Sequence, residues 1–452
     1  MKYKLPVLGL LSLSLLSACD DDDNEFTLEP RAQNFKLQVV HASQDSPNVN
    51  VSVNGNVAVS DVAYKQGSGR LTLDEDTYTI SVDGLTPDGE VTVIGPTDIG
   101  FSSDQIYTII AANQTASIEP IIVTQSDIEP PAGELTINAI HAASEAPTVD
   151  IYLTAPGDDI SSISPTVTLA YTDSLGATDI LSGDYQIRVT PTGSKDVVYD
   201  SGTLSLDAGA ILNLAAVTNT TGTGDSPISL LAIGPDGATE ILDADTPSNL
   251  RVFHLSPDAP NVDVVINDNF ATPAVIDLAY PDFTGYLSVT ADLYNAKVVP
   301  TGANSPVVID ADLDLAAGVS YSVLAVDNLA NIEPLVLENN RRSISTEAQL
   351  RIIHGSPAAG PVDLYLVAPG TDISTVEPNL SNVAFKAETG YLSVAEGSYD
   401  VVVTPAGSNT PAIGPAAISL SNGGIYTIIA RDNAGGGTPL GVVLADDFIQ
   451  PQ

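Results

Sequence analysis

The chain of 452 residues contains no tryptophan, one cysteine, one methionine, four histidines and only 15 lysines and arginines. A single cysteine excludes an internal disulfide framework and any metal site built from several thiolates. Four histidines leave few groups that titrate near neutral pH for acid–base chemistry. Against the 15 bases stand 57 acids, a formal net charge of −42, yet charged residues are only 16% of the chain. The imbalance therefore comes from missing cations rather than from an unusual load of acids. It excludes nucleic acid as a partner, because phosphate contacts need Lys and Arg. Glycine and proline, at 35 and 31 residues, are too frequent for long helices or a coiled coil. What remains is 43% hydrophobic, enough to pack cores. The length suits roughly three or four domains of about 100–150 residues.

Residues 1–18 read MKYKLPVLGLLSLSLLSA. Lys2 and Lys4 precede an apolar run of a dozen residues, 5–16. At about 1.5 Å per residue that run is too short to cross a ~30 Å hydrocarbon core as a helix, so it reads as a signal peptide. The stretch Leu16-Ser17-Ala18-Cys19 resembles the bacterial lipobox. The resemblance implies cleavage between Ala18 and Cys19 and acylation at Cys19, palmitate included, and it accounts for the only cysteine. At ~0.8 kcal/mol per buried CH₂, two or three acyl chains make a lasting membrane anchor. Loss of Lys2 and Lys4 leaves 13 bases against 57 acids, a net −44. Residues 19–35, acidic and interrupted by Pro30, read as an extended tether that cannot bury enough to order itself. Asp20 after the cysteine resembles an inner-membrane retention signal. The outer membrane is nonetheless the expected address, with the mature chain periplasmic or surface-exposed.

Beyond the tether one pattern occurs four times. Its openings start at Leu37, Leu135, Leu250 and Leu350, and each carries one histidine: His41, His141, His254 and His354. Tyr64, Tyr171, Tyr280 and Phe385 follow in register, then Gly69, Gly176, Gly285 and Gly390. Tyr78, Tyr185, Tyr294 and Tyr399 mark a third block, and Tyr107, Leu212, Tyr321 and Tyr426 a fourth. The histidines are spaced by 100, 113 and 100 residues, and copies 2 and 4 share an insertion at 155–165 and 368–378. The array is therefore a duplicated pair, A-B-A-B. Short β-branched runs bounded by Gly, Pro, Asn or Asp predict strands throughout. In copy 4 they fall near 350–354, 362–367, 382–386, 391–395, 398–404, 416–420, 425–431 and 440–445. The expected fold class is all-β: four tandem immunoglobulin-like or transthyretin-like antiparallel β-sandwich modules at 36–125, 135–241, 249–337 and 349–446. Short linkers with Pro130-Pro131 and Pro247 suggest a monomeric beads-on-a-rod arrangement, on the order of 150 Å long.

The lipobox, the His-x-Ser-Pro-x-x-Pro-x-Val-Asp opening and the Tyr-x-Val-x-Val-Thr-Pro-x-Gly hairpin together resemble the bacterial envelope family called domain of unknown function 4397. Copy 3, from His254 to Asp263, fits best, whereas copy 1 has Asn50 at the Asp position and copy 4 has Gly360 in place of the second Pro. The resemblance covers nearly all of residues 36–446 and implies a surface or periplasmic sandwich with no assigned reaction.

The His–Asp opening admits a chemical reading, in which an imidazole works with carboxylates four and nine residues on. Asp150, Asp263 and Asp363 occupy the later position, and Asp45, Glu145 and Asp258 the earlier, where copy 4 has Ala358. One imidazole with a variable carboxylate falls short of a three- or four-ligand metal site. The preferred reading is structural, with histidine satisfying the backbone of the Ser/Pro turn; metal binding and catalysis are the alternatives. No nucleophile elbow with a downstream histidine occurs. No resident cofactor is expected; calcium is the better ionic candidate, at Asp158-Asp159, Asp446-Asp447 or Asp20–Asp23, although no EF-hand pattern accompanies them. Of 16 tyrosines, 14 fall in register, which favours core or tyrosine-corner roles over a sugar-stacking platform. The expectation is a membrane-anchored lipoprotein serving as a structural, adhesive or ligand-binding array toward an envelope protein or polysaccharide, not an enzyme. The alternative is an envelope enzyme, or a calcium- or carbohydrate-binding protein with its site in one module's loops.

Overall fold

A computed structural model describes residues 33–447 of the chain. The signal peptide, Ala18, Cys19 and most of the tether lie outside the described residues. The remainder is all-β: 33 strands form eight sheets, two per module. In module 1 one sheet has the order Leu71–Asp74, Asn34–His41, Gln105–Ala112, Glu119–Ser126. The facing sheet runs Asn56–Val62, Val49–Val53, Thr77–Thr86, Gly89–Gly100. The other modules repeat this plan, and module 2 adds a fifth strand, Gly237–Ile241, to its first sheet. Pairing is antiparallel with one exception per module, where the strand ending in the histidine runs parallel to the seventh strand (Asn34–His41 with Gln105–Ala112 in module 1). A parallel pair is possible there because the chain returns to the first strand only after crossing both sheets.

The histidine-bearing strands are buried on both faces. In Asn34–His41 the alternation sends Phe35, Leu37 and Val39 into the sandwich, against Val51, Ile80 and Val82. Val40, and Ala42 just beyond the strand, point the opposite way. In Gln105–Ala112, Ile109 points in while Ile110 and Ala112 point out. Strands apolar on both faces belong to the middle of a stack, not to a sandwich with a wetted outside. The outward residues of module 1 meet Ile140, Ala142, Ala215, Val217, Leu231 and Ile233 of module 2 in one buried cluster. Modules 3 and 4 pack the same way through Phe253, Leu255, Leu324, Val326, Ile353 and Ile429. Each pair is thus four sheets deep with three cores.

The expected rod of separate beads is overturned by this packing, since a linker only a few residues long also allows adjacent modules to fold back face to face. The two pairs also touch. Arg342, in the connection between modules 3 and 4, donates to the Ser46 carbonyl of module 1 at 2.7 Å and lies over the Tyr64 ring. The Ser345 amide donates to the Asp45 carbonyl at 2.8 Å.

Two local expectations shift. Asn34 and Phe35, assigned to the tether, belong to the first strand, and Phe35 stacks on Phe101 with centroids 4.5 Å apart. The strand expected at 382–386 is Leu380–Val383 instead. Asn382 takes a positive φ of 55°, and the chain then turns so that Phe385 meets the edge of His354, centroids 6.1 Å apart.

Candidate functional site

The four histidines sit at one station, at the end of the first strand where the chain must leave the sheet. Nε2 faces a carbonyl six residues on: Pro47 at 3.0 Å, Pro147 at 3.0 Å, Pro260 at 2.9 Å and Gly360 at 2.7 Å. A carbonyl only accepts, so Nε2 carries the proton. Nδ1 is then the acceptor, and it takes the amide of Ser43, Ser256 or Ser356 at 3.3–3.4 Å. In module 2 that serine is Ala143, and Nδ1 of His141 has no partner among the described residues. Every ring meets the edge of the aromatic at the second repeat block, at 5.9–6.3 Å. Burial lowers the pKa of His41 to about 4, and it lowers those of His141 and His254 as well. In modules 1, 3 and 4 an imidazole bonded on both nitrogens to its own loop is a clasp, with little left to offer a ligand.

The carboxylates nine residues on form a second clasp. Asp263 accepts the amides of Asp277 at 2.8 Å and Gly302 at 3.0 Å, and Asp363 accepts those of Asn382 at 2.7 Å and Gly407 at 2.8 Å. Asp150 takes the Thr168 hydroxyl at 2.6 Å and the Gly193 amide at 2.9 Å. Each carboxylate ties its strand to a neighbouring strand and to the Pro-x-Gly turn, where Gly302, for one, has φ 73°. Partial burial pushes the Asp263 carboxyl up, but the Gly302 and Asp277 amides outweigh it and hold the group below the usual carboxylate range. Asn50 replaces the carboxylate in module 1. Its Oδ1 accepts the Asp61 amide at 2.9 Å, and its amide nitrogen reaches Glu90 at 2.9 Å.

The acids four residues after the histidine do not converge on it. Asp45 accepts the amide of Thr115, and Asp258 that of Leu329, both at 2.7 Å, which fixes a single 3-10 turn in modules 1 and 3. Glu145 accepts from Gln114 of module 1 at 2.7 Å. Of the calcium candidates, Asp159 takes the amide and hydroxyl of Ser161, both at 2.8 Å. Asp446 does not act with Asp447, because it is buried against Arg251, whose Nη1 lies 2.8 Å from Oδ1. Asp20–Asp23 lie outside the described residues. Among the described residues no three His, Cys, Asp or Glu are grouped to hold a metal.

The tyrosines brace turns. Tyr78, Tyr185, Tyr294 and Tyr399 each donate to the carbonyl four residues back at 2.7–2.9 Å. Tyr64 and Tyr280 reach across the module seam to the carbonyls of Thr218 at 2.7 Å and Asp432 at 2.6 Å.

A polar seam between paired modules was not expected from the sequence. Three residues before each histidine stand Gln38, Asn138, Arg251 and Arg351, all buried. In the first pair Gln38 donates to the Ser68 and Gly234 carbonyls, both at 2.7 Å, and Asn213 links Asn138 at 3.3 Å to Thr108 at 3.1 Å. In the second pair Arg251 meets Asp446 and the Ser322 hydroxyl, while Arg351 donates to the Asn339 side chain at 2.5 Å. Arg251 lies over Tyr286 and Arg351 over Tyr391, each 4.7 Å from the ring centroid. The available signal was a polar residue beside two apolar ones in strands such as Leu250-Arg251-Val252-Phe253, which a one-sided sandwich strand would turn to water.

One family model, described as domain of unknown function (DUF4397), matches residues 35–152, 248–365 and 368–452. The first two segments cover a whole A module and the first two strands of its B partner. No curated protein matches the chain. Among solved structures, the Bacillus anthracis TIE protein is 12% identical over 88% of this chain and 68% of its own, with a TM-score of 0.15. A product complex of the multi-modular glycogen-degrading pneumococcal virulence factor SpuA is 9% identical over 62% and 38%, with a TM-score of 0.16.

Proposed function

The chain belongs to the DUF4397 family, a description that carries no activity, and from that premise we propose that it is a lipid-anchored structural, adhesive or ligand-binding array in the bacterial cell envelope. The observation that carries this reading is the use of the repeated polar groups. Each histidine, and the Asp or Asn nine residues after it, is bonded to its own module's loops or strands. Four modules that repeat a scaffold and vary their loops suit presentation of surfaces more than turnover of a substrate. Anchoring rests on the lipobox motif, with Cys19 as the acylated residue and Ala18 as the last residue removed. The outer membrane is the proposed location, periplasmic or surface-exposed, with Asp20 the argument for the inner one.

Metabolic labelling with a palmitate analogue tests the anchor. Label should appear in the wild-type chain and vanish in Cys19→Ala, which should leave the membrane fraction. Label retained in the variant would remove the lipoprotein reading. Protease added to intact cells should cut the modules if they face outward; protection until the outer membrane is opened would place them in the periplasm.

A further inference from the structure

Module 2 differs from the others at one edge. Its strand Ile228–Gly234 is followed by Gly237–Ile241, which adds antiparallel to it and runs along module 1. Glu240 of the added strand pairs with Lys65 at 2.5 Å. A Cβ on Gly67 would come within 3.2 Å of the Ala238 amide nitrogen, so the strand lies close against that turn.

In module 4 the equivalent strand is Gly441–Asp446, and it pairs only with Ile425–Arg431. Val442 stands opposite Ala430, as Leu230 stands opposite Ala216, and both alanines pair with the module's histidine. The place of the added strand is therefore defined in the second pair, and among the described residues no strand pairs there. A groove of about 560 Å³ lies there, between Gly441–Asp446 and the module 3 edge strand Val275–Leu278. Its walls include Pro281 at the position of Lys65 and Phe283 at that of Gly67. Ile276, 66% exposed, and Val442 add apolar surface, and Asp277 and Asp282 are the charged groups that line it.

We propose that this groove takes an extended segment of another protein, apolar with at least one basic residue, as an added strand on Gly441–Asp446. An open edge supplies backbone donors and acceptors for such a strand, and the flanking pockets choose its side chains. In module 2 this edge carries such a strand beside Gly67; beside Phe283 an added strand must lie farther from the module 3 turn. The sign of the occupant follows from local charge: where Glu240 meets Lys65 in the first pair, a basic side chain would meet Asp282 in the second. A second copy of this chain is disfavoured by its net charge of −42. The proposal deepens the binding-array reading by giving its partner a chemistry, and it does not depend on the lipid anchor.

The probe is a synthetic peptide of residues 237–242 carrying Glu240→Lys, with blocked ends. Calorimetric titration into the full chain should give one site per molecule, and hydrogen exchange should slow at residues 441–446. The peptide that retains Glu240, and the protein variant Asp277→Asn/Asp282→Asn, should each bind at least about tenfold more weakly. A peptide N-methylated at alternate amides should not bind. Equal binding by the methylated peptide or by the protein variant would overturn the proposal. So would slow exchange, in the free protein, at the amides of 441–446 that face away from Ile425–Arg431, since another segment would then already pair the edge. Failure here with intact Cys19 labelling would remove the partner and leave the anchored array standing.

Discussion

The imidazole clasp couples modules 1, 2 and 3 to pH. Burial lowers His41 from the ordinary 6.5 to about 4. Between those values the unfolded chain takes up a proton that the folded chain refuses. Stability from this group is therefore fully present above about pH 6.5 and is lost as pH falls toward about 4, by on the order of 3 kcal/mol. His141 and His254 act in the same direction. In His41→Gln the melting temperature should fall less between pH 7 and pH 4.5 than in the wild type; identical slopes would remove the histidine from the argument. Arg251 makes a second residue-scale case. Its ion pair with Asp446 is buried on both sides, at 4% and 9% exposure. Arg251→Ala strands the carboxylate and should cost about 3–5 kcal/mol, whereas Arg251→Met/Asp446→Asn should recover much of that. Chemical denaturation decides it, and equal losses in the two variants would contradict a buried pair. The histidine clasp was legible in the sequence because it acts within six residues of chain. The arginine was not, because its partner lies 195 residues away.

At the scale of the element, the histidine-bearing strand does two jobs through its alternation. One face closes its own sandwich and the other closes the seam with the next module. Leu231 shows the consequence, since it is fully buried and packs into the seam cluster rather than into the core of module 2. Leu231→Ala should cost about 2–5 kcal/mol, and the loss should reach both modules of the first pair. Hydrogen exchange checks this: protection should fall at Gln105–Ala112 of module 1 as well as at Ile211–Thr218 of module 2. A loss confined to module 2 would mean that the seam carries little energy. Strand positions in copy 4 were readable to within a few residues, because β-branched runs and turn residues are local signals. The Leu380–Val383 strand was displaced because its end is set by Asp363, which captures the Asn382 amide from a different strand.

At the scale of the molecule, four sandwiches fold as two stacked pairs. Arg342, Ser345 and Asn249, whose side chain donates to the Gly222 carbonyl at 2.8 Å, bridge the pairs, while the seams inside each pair bury whole apolar clusters. Arg342→Ala should therefore loosen one pair from the other without lowering the melting of either. Small-angle scattering should report a larger radius of gyration and calorimetry unchanged transitions; a drop in the first transition would show that the bridge holds a pair together. The net charge of −42 works against the contact between pairs, so low salt should enlarge the same radius. Composition, the period of the repeat and the turn residues were enough to specify an all-β chain of four modules, because each depends on local propensity and on alternation along one strand. They also marked the duplicated pair, through the shared insertions. Which module packs on which, and that Asp446 answers Arg251, only the tertiary structure decided. A strand apolar on both faces states that both sides are covered, but what covers the second side is a matter of contacts between residues distant in the chain.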